Sequence, residues 1–192
     1  MDHPVPAGSQ RALNAPPPTA LAPRTIYNSP LADLWALYGA EPIRLKRTQD
    51  GRELSHVRYH RARRFMMLLS ADAPADWTDF LYSAGIVVQL AISSHLLDVG
   101  FPDDWCARNI GLHVDRSLAY ANVTGFGCDC DETTRLTQIL APYWKWNRRH
   151  LIGGVQPYDG GFKAEQVQAL ISALIDHVGD VTGNRHRPMA KT

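Results

Sequence analysis

Apolar side chains recur along the second half of this chain at the spacing of helices. After Phe162, Val167, Leu170, Ile171, Leu174, Ile175 and Val178 follow the i, i+3, i+4 template of one helical face. The stretch Phe80 to Val99 is apolar over most of its circumference, through Phe80, Leu81, Ala84, Val87, Val88, Ala91 and Leu97. It is expected to be the central helix, introduced by Pro74 and Asp76 and stopped by Gly100. Asp103 or Asp104 would cap a following helix whose face is Cys106, Ile110, Val114, Leu118 and Ala121. Another begins near Asp131 with Leu136, Ile139, Leu140 and Tyr143 on one face, and Pro142 kinks or ends it. A short amphipathic helix opens at Ser29-Pro30, carries Leu31, Leu34, Trp35 and Tyr38, and closes before Gly39 and Pro42.

The segment Ile43 to Tyr59 supports two readings. Asp50-Gly51 is a hairpin turn signal, and a loop Gln49-Asp50-Gly51 sets Ile43 opposite Val57 and Leu45 opposite Ser55. Continued as a helix from Arg52, the same residues place Arg58 and Arg61 among Leu54, Phe65 and Leu68, where charged heads resist burial. The hairpin is therefore expected, followed by a helix from about Arg61 to Ala71. The resulting architecture is mainly α: an irregular bundle of five or six helices with one small β-hairpin.

Residues 1–28 hold Pro4, Pro6, Pro16-Pro17-Pro18 and Pro23 among small and polar residues, a composition that does not repay its ordering entropy. A disordered Pro/Ala-rich leader over 1–28, one helical domain over 29–179 and a flexible tail over 180–192 follow. A chain of 192 residues with 45% hydrophobic and 20% charged side chains buries one core without disulfides. Three cysteines and no secretory hydrophobic region after Met1 point to a reducing cytoplasm. The apolar run to Val99 is interrupted by Ser83, Gln89, Ser93, Ser94, His95 and Asp98, which argues for a buried helix rather than a membrane span.

A net charge of +1 excludes a global field for polyanions, so any such role rests on a local patch. One patch runs from Arg44 to Arg64 and contains Lys46, Arg47, Arg52, Arg58, Arg61 and Arg63, with His56 and His60. Charge of this kind binds phosphates in a salt-dependent way. A second cluster, Trp144, Lys145, Trp146, Arg148, Arg149 and His150, interleaves aromatics with cations, as stacking on exposed bases requires. Against both, arginines commonly form a solvated face and favour helix C-termini without any ligand.

Cys106, His113, Cys128 and Cys130 form the candidate metal set, Cys₃His for zinc, with Cys106 and His113 two turns apart on one helix. The spacing suits zinc poorly, because Cys-x-Cys gives a tight bite and two helical turns separate ligands by about 10 Å. As a redox pair, Cys128 and Cys130 sit among Asp129, Asp131 and Glu132, whose charge raises thiol pKa, although a following helix N-terminus acts oppositely. His95 and Asp98, one turn apart, are a candidate general base and its orienting carboxylate, but no hydrolase, zincin or phosphate-loop motif accompanies them. A helix-turn-helix over Ile86 to Ala107 would present Asp103-Asp104 to a polyanion, which disfavours it.

The leading expectation is thus a small helical interaction protein that contacts nucleic acid or another polyanion through the Arg44 to Arg64 surface, with Trp144 to His150 assisting. A metal-binding or catalytic protein using the Cys/His set, and an adaptor that binds a partner protein through a helix face, are the alternatives. The balance lies against catalysis.

Overall fold

The structure, a computed structural model, describes residues 29–69, 76–147, 149 and 157–186. Seven α-helices are present among them: α1 (Pro30–Tyr38), α2 (Gln49–Met66), α3 (Trp77–Val99), α4 (Asp103–Asn109), α5 (Val114–Val123), α6 (Asp131–Leu140) and α7 (Ala164–Thr182). A 3-10 turn, Tyr143–Trp146, follows α6, and another, Asn184–His186, follows α7. The leader expected over 1–28 lies outside the described residues.

Helix ends are set by the chemistry visible in the sequence. Ser29 Oγ accepts from the Ala32 amide at 3.3 Å, Pro30 takes the first helical position, and Gly39 closes α1 in the left-handed conformation. Asp76 caps α3 through the amides of Thr78 and Asp79, and Gly100, at φ 110°, ends it. Only glycine serves at Gly100: φ is left-handed and a Cβ would stand 2.6 Å from the Lys46 carbonyl carbon. α3 is the axis of the fold, with α2, α5, α6, α7 and the Tyr143–Trp146 turn packed on it. Its apolar window is long enough to cross a membrane by length and composition, yet 78% of it is buried inside the protein.

The expected hairpin is absent; among the described residues there is no strand. Thr48 Oγ1 accepts from the Gly51 amide at 3.0 Å, so the helix begins at Gln49, and Asp50-Gly51 forms its first turn instead of a bend. Gly51 serves close approach, not turning: a Cβ there would sit tightly, 3.0 Å from Thr48 Oγ1 and 3.1 Å from the Leu97 carbonyl oxygen. The objection to a helix fails because Arg61 and Phe65 are exposed, Leu68 is exposed past the helix end, and half-buried Arg58 pairs with Asp103. The inner face is Ser55, His56, Tyr59 and Ala62.

The single helix expected from Asp103 to Ala121 is also two. Gly111, at φ 60°, breaks it, and the chain restarts at Val114. α6 ends at Leu140 just before Pro142, as its ring demands. α7 buries Val167, Ile171, Leu174, Ile175 and Val178, the face that the repeat specifies, and runs three residues past the expected domain end. Gly179 lets α7 close on α2, since a Cβ there would meet Tyr59 Oη at 2.5 Å.

Candidate functional site

The helix α2 is held by a buried polar seam whose hydrogen bonds have determined directions. Ser94 Oγ donates to the Ser55 carbonyl at 2.9 Å, so Ser55 Oγ is the donor in its 3.0 Å contact with Ser94 Oγ. Both hydroxyl oxygens accept from Asn184 Nδ2, at 3.0 and 3.2 Å. That fixes the amide of Asn184 and leaves its Oδ1 to accept from His56 Nδ1–H at 3.3 Å. The seam ties α2, α3 and the turn after α7 together, and Asn184 is buried although it falls in the stretch expected to be a tail.

With the inner face thus occupied, α2 turns its remaining residues outward. From Arg44 to Arg64 the chain carries eight Arg or Lys against two carboxylates, Asp50 and Glu53. Arg47 and Arg58 serve the fold: Arg47 ion-pairs with buried Asp98, its Nε donating to the Asp98 carbonyl, and Arg58 reaches Asp103 at 3.2 Å. Arg44, Lys46, Arg61, Arg63 and Arg64 are exposed and meet no carboxylate among the described residues. Arg63 lies over the Tyr59 ring at 5.9 Å. His60, Arg63, Arg64 and Met67, spaced i, i+3, i+4, i+7, line a cleft of about 260 Å³.

Four large apolar side chains are exposed along α2 and just past its end. Val57 is 47% exposed, Phe65 39%, Met67 80% and Leu68 74%. Sequence reasoning credited Phe65 and Leu68 to a buried face and passed over Met67. The readable signals were Thr48 as a cap, Asp50 in the first turn and Arg63-Arg64 in the last, the charge order that a helix dipole favours.

The second aromatic and basic cluster is largely structural. Trp146 is buried, with its Nε1–H donating to the Ile139 carbonyl at 3.1 Å, so it is closed to stacking. Lys145 Nζ donates to the Ala141 carbonyl at 2.7 Å, and burial lowers its pKa. Trp144 and Arg149 are exposed, while Arg148 and His150 lie outside the described residues.

The proposed metal ligands do not assemble. No group of three or more His, Cys, Asp or Glu side chains able to hold a metal ion occurs among the described residues. The break at Gly111 removes the shared helix face of Cys106 and His113, and His113 becomes the residue that precedes α5. Cys106 is buried against the core, and burial followed by the charge of Asp103 pushes its thiol up to about 12. Cys128 is half-buried, its backbone clasped by the Asn122 amide at 3.0 and 3.1 Å. Cys130 is exposed ahead of α6, and side-chain and backbone hydrogen bonds at Thr133 lower its thiol pKa against the charge of Glu132. The Thr133 hydroxyl, with backbone amides of the first turn of α6, therefore outweighs the acidic neighbours there, the reverse of the balance drawn from the sequence.

His95 and Asp98 do not form a catalytic pair. His95 is buried, its Nε2 faces Thr124 Oγ1 at 3.4 Å, and its ring packs on Phe126. Desolvation lowers its pKa to about 4, more than the charge of Asp98 raises it. His177 also packs its ring on Phe126, and its Nε2–H donates to the Phe126 carbonyl at 2.6 Å. These imidazoles fasten the loop after α5. The chain matches no family model, no curated protein and no solved structure.

Proposed function

We propose that this protein is an interaction module that binds nucleic acid or a comparable polyanion through the outer face of α2 and the segment leading into it. The observation that carries the reading is the division of labour among the basic residues. Arg47 and Arg58 pair with the carboxylates of Asp98 and Asp103, whereas Arg44, Lys46, Arg61, Arg63 and Arg64 are exposed and meet no carboxylate among the described residues. The dipole at the end of α2 accounts for Arg63 and Arg64, which lie in its last turn, but not for Arg44 and Lys46 outside the helix. α2 is about 27 Å long at 1.5 Å per residue, so cations along it track several phosphates of one strand.

Binding of a labelled oligonucleotide, followed by fluorescence anisotropy over a salt series, tests this. Arg61→Glu with Arg63→Glu is expected to weaken binding and to flatten the dependence of log K on log salt by about two contacts' worth, roughly 0.7 to 0.9 per phosphate. Unchanged affinity and slope in a double mutant with native helicity would refute the assigned surface.

A further inference from the structure

The outer face of α2 carries cations and bare apolar side chains together, and that combination narrows the partner. A duplex offers a phosphate backbone with its base faces stacked inside, so exposed apolar groups gain less from it than from unstacked bases. An unpaired strand offers phosphates and flat, apolar base faces in alternation. Val57 stands exposed one turn before Arg61, and Met67 and Leu68 stand exposed just past the last turn of α2, after Arg63 and Arg64. The cleft of about 260 Å³ beside them has two guanidinium planes, Arg63 and Arg64, one imidazole, His60, and a thioether wall, Met67. Guanidinium groups bind phosphate oxygens two at a time and stack on bases, and imidazoles stack likewise.

Resting on the polyanion reading above, we infer that the partner is single-stranded nucleic acid, gripped at its phosphates by Arg61, Arg63 and Arg64 and seated by an unpaired base in the cleft at His60 and Met67. A flat anionic bilayer satisfies the charge but leaves a concave site unfilled. An acidic peptide satisfies the charge but brings no planar groups to lie on the guanidinium planes.

The test measures affinity of the full chain, at one salt concentration, for a labelled single strand of mixed sequence, the same strand annealed to its complement, polyglutamate, and phosphatidylserine vesicles. The single strand is expected to bind about tenfold tighter than the duplex. Met67→Ser with Leu68→Ser, both on exposed positions, is expected to weaken single-strand binding about tenfold and leave duplex binding unchanged. Equal or tighter duplex binding overturns the inference and leaves the polyanion reading standing. Tighter binding to polyglutamate or vesicles, with loss in the Met67/Leu68 variant, overturns it in favour of an acidic protein or a membrane. Failure to bind any of the four probes overturns both.

Discussion

α2 and α7 pack on the same central helix by opposite means. α7 presents Val167, Ile171, Leu174, Ile175 and Val178 inward, each contributing about 1.5 to 3 kcal/mol by burial. α2 presents Ser55, His56, Tyr59 and Ala62 inward and leaves Val57 and Phe65 exposed, with Met67 and Leu68 exposed just past its end. Hydrogen bonds of the Ser55–Ser94–Asn184–His56 seam, each worth about 1 kcal/mol net, stand where α7 has apolar area. Gly51 and Ser55 bring α2 close to α3, and its larger apolar groups Val57 and Phe65 are left exposed. An amphipathic helix turned this way is held by geometry rather than by area, and its outer face is where interaction is to be sought.

Mutations on the three faces sharpen or break that contrast. The largest effect is expected from Ile171→Ala in α7, a loss of about 2 to 5 kcal/mol in urea unfolding from lost burial and the cavity left behind. A smaller cost, about 1 to 3 kcal/mol, is expected from Asn184→Ala, which strips the acceptor from buried His56 Nδ1. Were that variant as stable as the parent, the Asn184 bonds would contribute nothing to holding α2, and the comparison with α7 would weaken. Leu68→Ser on the outer face should move the unfolding midpoint by less than about 0.5 kcal/mol, because the side chain is already 74% exposed. A large destabilisation there would mean that the outer face is itself part of the core.

Where the inner face is apolar, the pattern in the chain and the fold agree. The repeat of α7 names five of its buried residues together with half-buried Leu170, and Ser29, Pro30, Gly39, Asp76 and Gly100 mark the ends of α1 and α3. The candidate site was legible only as a run of basic residues. Its apolar half was hidden because Phe65 and Leu68 look like core residues until Ser55 and His56 are found in their place. The metal set shows the same limit from another side: Cys106 and His113 share a face only if the helix is continuous, and one left-handed glycine, Gly111, ends that.

By itself the sequence determined what local chemistry enforces: helical periodicity, caps, glycine stops and the local excess of arginine. Those features act within a turn or two of chain, and neighbouring residues suffice to specify them. The tertiary structure decided which face of α2 goes inside, which arginines find carboxylates, and which thiols remain apart. Each of these turns on groups distant in the chain, Asn184 with Ser55 and His56, Asp98 with Arg47, Asp103 with Arg58. A polar residue is buried at little cost only when its partner arrives from elsewhere in the fold, and no local pattern announces that arrival.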